Sequence, residues 1–149
     1  MVSSDQTIGI IFPILSDHLD RFFHDRKTVF VKYFGKERLP LRLRVGSRLF
    51  FYESGRSKQI VGDAKIIGIE SATYEDVIAR FGDYLFLTKN EFERYAQDRR
   101  DKKMLILVLR EMRKYSAPLR LKNGLTMAGQ YMTRKMFEEL RNSRVVCSK

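Results

Sequence analysis

Ile60-Val61-Gly62-Asp63-Ala64-Lys65-Ile66-Ile67-Gly68-Ile69 is the stretch whose reading decides the fold. It is rich in β-branched residues and returns from a hairpin, with Arg48-Leu49-Phe50-Phe51-Tyr52-Glu53 as the outgoing strand and Ser54-Gly55-Arg56-Ser57 as the turn. Gly62 and Gly68 stand six apart in the returning strand, Gln59 to Ile69, and so on one face. Glycine inside a strand costs stability and marks a bulge, a sharp bend or a close backbone approach. Small curled sheets need such bends, so the pair predicts a barrel-like sheet.

Upstream, Thr7 to Phe12 reads as a first strand stopped by Pro13, and Ser16 as the cap of a helix to about His24. Thr28 to Val31 is a short strand. Tyr33 to Val45 is a basic loop in which Leu39, Leu41 and Leu43 alternate with Arg38, Arg42 and Arg44, a pattern that also fits a strand with an arginine outer face. Downstream, Thr73 to Phe81 is helical and broken by Gly82-Asp83, and Tyr84 to Leu87 is a brief strand. Thr88-Lys89-Asn90-Glu91 is a capping box that opens a helix to about Arg99. Met104 to Leu109 reads as a strand buried on both faces. Asn123-Gly124 signals a hairpin between Leu119–Lys122 and Leu125–Met127, and Thr133 caps a last helix with Met136, Phe137 and Leu140 on its apolar side. Six or seven short strands with inserted helices define an α+β fold.

At 149 residues the chain fits one domain, taken as residues 1–141, with 142–149 as a flexible tail. The longest apolar run, Met104 to Leu109, is far short of the roughly 20 residues that span a bilayer. The opening Met1-Val2-Ser3-Ser4-Asp5 has no basic or apolar region of a signal peptide, so a cytoplasmic location is expected. One cysteine, Cys147, excludes a disulfide framework and a cysteine-rich zinc module. His18 and His24 are six apart, about 600° around a helix, and do not converge on a metal. With neither a phosphate-binding P-loop nor a GxGxxG motif, no cofactor is expected.

Charge is the most informative property. The net charge of +11 is clustered: −3 over residues 1–20, +8 over 21–60, −4 over 61–98 and +10 over 99–149. Two basic blocks around an acidic one predict a molecule with a positive side, the requirement for binding a polyanion. The basic residues are interleaved with aromatics: Arg26-Lys27-Thr28-Val29-Phe30-Val31-Lys32-Tyr33, Arg48-Leu49-Phe50-Phe51-Tyr52, and Tyr131 ahead of Arg134-Lys135. Phosphates call for Lys and Arg, and splayed bases for flat aromatic faces. The candidate nucleic-acid contacts are therefore Lys27, Lys32, Arg42, Arg44, Arg48, Arg56, Lys58, Arg134 and Lys135 for the backbone, with Tyr52 and Tyr131 flanking a nucleotide. At least two of Phe30, Phe50 and Phe51 are better read as core.

In this order, Ile8-Gly9-Ile10-Ile11-Phe12-Pro13, Arg26 to Lys32, Phe50-Phe51-Tyr52, Ile60 to Ala64, Phe81-Gly82-Asp83 with Phe86 to Lys89, and Gly129-Gln130-Tyr131-Met132-Thr133 resemble a PUA-like domain. The resemblance is to an uncharacterised archaeal family grouped with the PUA and ASCH domains, over residues 7–141. It implies a curled pseudo-β-barrel with inserted and flanking helices, and RNA or modified-nucleotide binding. The sequence departs from the ASCH motif G-x-K-x-x-E-x-R: the lysine is Lys27, but the glycine, glutamate and arginine positions hold Asp25, Phe30 and Lys32. A phenylalanine takes no proton, so the leading expectation is a non-catalytic RNA-binding domain. The alternative is an ASCH-like hydrolase acting on RNA or a modified nucleoside, with Lys27 and Lys32 as acid and electrophile and Asp63 as base.

Overall fold

The computed structural model describes residues 6–33, 42–55, 57–121, 125 and 129–147. Six strands and four helices follow in the order β1 (Thr7–Leu15), α1 (Ser16–Phe23), β2 (Val29–Lys32), β3 (Arg48–Ser54), β4 (Ile60–Ala72), α2 (Tyr74–Phe81), α3 (Lys89–Ala96), β5 (Met104–Leu119), β6 (Gln130–Thr133) and α4 (Arg134–Cys147). A 3-10 turn, Gly82–Tyr84, extends α2. The strands form one curled half-barrel sheet in the order β2-β5-β4-β3-β1-β6, in which β1 and β3 are parallel and every other pair is antiparallel. This is the α+β curled sheet that the glycine-marked strand predicts.

The sheet has a core on each face. Pairing of Ile11 with Phe50 and of Phe12 with Phe51 locks the parity of β1 and β3. Side chains alternate along a strand, so Ile10, Phe12, Leu49 and Phe51 enter the larger cluster with Leu19 and Phe22 of α1, Val77 of α2 and Phe92 of α3. Ile11, Phe50, Tyr52 and Met132 enter a smaller cluster with Ile60, Leu119 and Leu140 of α4. The continuous apolar runs of β1 and β3 follow from burial on both faces. An ion-paired clamp ties α1 to α3: Arg21 donates to both oxygens of Glu91 and to the Phe86 carbonyl, while Glu91 also accepts from the Thr88 amide at 2.8 Å. The Thr88–Glu91 capping box is therefore also a tertiary contact.

Several local expectations are corrected. β1 runs through Pro13 to Leu15; among the described residues no strand pairs with Pro13 on the β6 side, where a residue without an N–H is tolerated. Ser16 is the first residue of α1 and Leu15 occupies the cap position, with no side-chain capping bond. Tyr84 to Leu87 contributes only a bridge between Leu85 and Val29. β5 is far longer than its apolar half, because Arg110 to Leu119 continues the ladder with β4 on a largely solvated stretch. The hairpin at Asn123-Gly124 lies outside the described residues, and β6 pairs with β1. α4 continues to Cys147.

Gly62 has the role expected of it. A Cβ there would lie 2.3 Å from the Arg113 carbonyl oxygen and 2.7 Å from the Phe23 ring, whereas one at Gly68 would meet only Val108 at 3.3 Å. The β4–β5 register shifts beside both glycines. Gly62→Ala is expected to cost roughly 1–3 kcal/mol, because a backbone oxygen must give way; urea denaturation measures this, and Gly68→Ala should cost less. Arg21, with smaller help from the Thr88 amide, holds the Glu91 carboxyl at about 2, against its usual 4.5. A depressed carboxyl stabilises the fold fully above its unfolded value and loses that contribution as pH falls from about 4.5 toward 2. Acid unfolding followed by circular dichroism should therefore show a component in that window that Glu91→Gln removes.

Candidate anion-binding cleft

The side chain that organises the site is Asp63, which is fully buried within β4. Its carboxylate accepts from Arg113 Nε at 2.9 Å and Nη2 at 2.8 Å, a bidentate pairing, and from the Tyr115 hydroxyl. Arg48 Nη1 stands 3.2 Å from the same Oδ1. A buried carboxylate this well surrounded fixes the positions of its partners. Burial, reinforced by the bond to Asp63, pushes the Tyr115 hydroxyl far above its ordinary range and keeps it a donor, while the same carboxylate raises the Arg113 guanidinium.

Strand geometry accounts for this convergence. Phe50, Asp63 and Arg113 occupy one row across β3, β4 and β5. Lys65 pairs with Arg110, and plain alternation would then put Met112 opposite Asp63. Instead the register shifts by one residue and Arg113 takes that place. The extra residue is accommodated at Glu111, whose φ of 53° is left-handed. Such a bulge re-aims the side chains that follow it, and its cost is about 1–2 kcal/mol for a residue other than glycine.

Arg48 and Arg113 face a cleft of about 1110 Å³ that Arg42, Arg44 and Arg134 also line. Leu43 is inserted into the larger core, so its neighbours Arg42 and Arg44 are exposed. The turn carrying them is pinned to β4 by Gly46 N–H on the Ile66 carbonyl and Ile66 N–H on the Ser47 carbonyl, each 2.8 Å. Gly46, at φ 99°, supplies the left-handed residue this turn needs. Arg134 opens α4, where the Thr133 hydroxyl accepts from the Met136 amide at 3.1 Å. Ser47, Thr7 and Thr133 add polar groups, and Ile8, Phe50 and Phe137 form an apolar wall. Among the described residues, no carboxylate lines the cleft.

Four of the sequence candidates, Arg42, Arg44, Arg48 and Arg134, thus share one hollow. Tyr131 stands beside it: its hydroxyl accepts from the Arg42 amide at 3.4 Å and the Arg42 guanidinium lies 5.5 Å from its ring centre. Tyr52 does not flank a ligand, because it is 6% exposed and packs in the smaller core. Lys58, left-handed at the β3–β4 hairpin, and Lys135 on α4 are exposed but do not line the cleft, and Arg56 lies outside the described residues. Lys27 donates to the Asp83 carbonyl at 2.8 Å, at the start of β2. Lys32 lies against the Phe12 ring in the larger core, where burial lowers its ammonium from the ordinary lysine range. Phe30, at the ASCH glutamate position, stacks on Phe12 and Phe86. Lys27 and Lys32 therefore do not form one site with Asp63, which faces the other side of the sheet. Arg113 was not anticipated, since the bulge at Glu111 breaks the alternation that would have marked it.

The fold belongs to the class of the ASCH and PUA-like domains. The ASCH protein of Zymomonas mobilis superposes with a TM-score of 0.76 at 16% identity over 91% of this chain and 94% of that one. The N-terminal domain of Staphylothermus marinus McrB superposes with a TM-score of 0.56 at 12% identity, covering 95% and 98% of the two chains. Within that class the chain belongs to the family described as Domain of unknown function (DUF365), whose model matches residues 7–134. An uncharacterised protein of Methanocaldococcus jannaschii is 24% identical over 105 residues, 62% of this chain and 95% of that relative. Among the described residues, no helix is long and apolar enough to cross a membrane.

Because Asp63 anchors two guanidinium groups and a hydroxyl, Asp63→Ala is expected to lose about 3–5 kcal/mol, the range for stripping a buried charge from its partners. Tyr115→Phe should lose only about 1–2 kcal/mol, since Arg113 and Arg48 still hold the carboxylate. Chemical denaturation of the two variants checks the ranking.

Proposed function

We propose that this protein is a cytoplasmic, non-catalytic RNA-binding domain that holds phosphates in the arginine cleft. The observation that carries the reading is the convergence of Arg42, Arg44, Arg48, Arg113 and Arg134 on one hollow without a lining carboxylate among the described residues. Association then proceeds by release of counterions from the nucleic acid, with the guanidinium groups bonding phosphate oxygens. The apolar wall of Ile8, Phe50 and Phe137 gives a base a dry surface beside those phosphates, and Tyr131 contributes by holding Arg42 at the rim. The choice of RNA rests on the PUA-like resemblance. A hydrolase routed through Lys27, Lys32 and Asp63 is the weaker reading, because the lysines lie away from the carboxylate and Asp63 is engaged by Arg113, Arg48 and Tyr115.

Titration with tRNA and with duplex DNA across a range of salt concentrations tests the proposal. Five phosphate contacts on single-stranded segments predict a slope of log K against log salt of roughly −3 to −4. The triple variant Arg42→Ala, Arg44→Ala, Arg134→Ala should flatten it by about 2 units. A flat response, or no RNA binding at low salt, overturns the reading.

A further inference from the structure

We infer that the cleft contains a subsite for a phosphate monoester, a phosphorylated RNA end or the phosphate of a free nucleotide, formed by Arg48 and Arg113 braced against Asp63. The inference deepens the RNA-binding reading and rests on it for the source of the ligand, although not for its chemistry.

The two guanidinium groups differ in kind from the other three. Arg42, Arg44 and Arg134 are carried on a turn and a helix start, whereas Arg48 and Arg113 project from paired strands and share one buried carboxylate. Asp63 takes Nε and Nη2 of Arg113, which fixes the plane of that guanidinium and leaves Nη1 for another acceptor. Arg48 Nη1 is the one buried side-chain donor among the described residues without a hydrogen-bond partner, although Asp63 Oδ1 is within ion-pair distance at 3.2 Å. Nη1 is thus turned inward to the carboxylate, and the remaining donors of the Arg48 guanidinium are the ones available to a ligand in the cleft that Arg48 lines. The Glu111 bulge adds a second observation: the fold keeps a left-handed non-glycine residue in mid-strand, and the result is that Arg113 rather than Met112 faces Asp63.

The chemistry selects the ligand. One carboxylate against five guanidinium groups leaves a surplus of four positive charges around the hollow. An internal phosphodiester offers one negative charge and two free oxygens. A monoester offers nearly two charges and three free oxygens, enough to accept from Arg48 and Arg113 together and from a hydroxyl such as Ser47 or Thr133. The neighbouring wall of Ile8, Phe50 and Phe137 suits the attached nucleoside.

The test compares one short single-stranded RNA carrying a 5′-phosphate, a 3′-phosphate or hydroxyls at both ends, at fixed salt, with adenosine monophosphate and adenosine as competitors. A phosphorylated end should bind about tenfold tighter than the hydroxyl form, and adenosine monophosphate should compete where adenosine does not. Arg113→Lys, which keeps the charge and loses the fork, should erase most of that preference, whereas Arg134→Ala should weaken all three RNAs alike. Arg48→Lys should also erase most of it; should either variant not fold, the end-group comparison on the natural sequence decides. Equal affinity for the three RNAs with a steep salt response overturns the monoester subsite and leaves the RNA reading standing. Competition by adenosine monophosphate for a labelled mononucleotide without any RNA binding upholds the subsite and overturns that reading. Binding of neither overturns both.

Discussion

A carboxylate sealed inside a sheet has to be neutralised where it stands, and Asp63 imposes that condition on everything near it. Removal from water costs an ion several kcal/mol, so a lone aspartate in mid-strand would be expelled or protonated. Here three strands contribute the matching groups: Arg48 from β3, and Arg113 and Tyr115 from β5. The need to satisfy one negative charge thus draws two positive ones to the same point. With Arg113 half-exposed, the pairing holds its guanidinium in place without hiding it.

The rest of the sheet serves that arrangement through parity. A strand buried on both faces assigns alternate residues to opposite cores, and a one-residue slip exchanges them. β3, and β1 from Ile10 onward, keep alternation, which places Phe50 on the Asp63 side and Phe51 among the helices. The β4–β5 ladder shifts register at Glu111, as it also does beside Gly62 and Gly68, and the extra residue at Glu111 moves Arg113 onto the Asp63 side. Gly9 belongs to the same construction: a Cβ there would lie 2.1 Å from the Arg48 carbonyl and 2.8 Å from the Phe50 ring, so its bare backbone lets β3 and the cleft wall close over β1.

The curled sheet was legible where local chemistry coincides with global structure. Gly62 marks a close approach of β4 and β5 because only hydrogen fits against the Arg113 carbonyl, and Thr88–Glu91 caps α3 because the bonds are three residues apart. The arginines of the cleft were legible as charge, since Leu43 inward implies Arg42 and Arg44 outward whether or not a strand forms. Three features were not legible, each for a definite reason. Tyr52 looked like a stacking surface because its hydroxyl tolerates water, but the side of β3 it occupies is covered by the smaller core. Lys27 and Lys32 group with the cleft residues in the sequence because cations there are interleaved with aromatics, but that interleaving does not fix which face a side chain takes. Arg113 was hidden because a bulge is decided by the partner strand, and no pattern within Arg110-Glu111-Met112-Arg113 records it.

That the cleft is lined by arginine, while Lys27, Lys58 and Lys135 lie outside it, follows from what its inner pair must do. An ammonium is a point charge whose donors rotate freely; set against Asp63 it would turn toward the carboxylate and offer a ligand no defined direction. A guanidinium is a rigid plane with five N–H groups, and one edge can be committed to a carboxylate while other donors remain available. Arg113 does this with Nε and Nη2 on Asp63, and Arg48 approaches the same oxygen through Nη1. The carboxylate orients the forks and at the same time cancels part of their charge. The outer arginines, which pair with no carboxylate among the described residues, restore the surplus. Orientation and field strength are thereby supplied by different residues: the strands carry the first, and the turn at Gly46 with the opening of α4 carries the second.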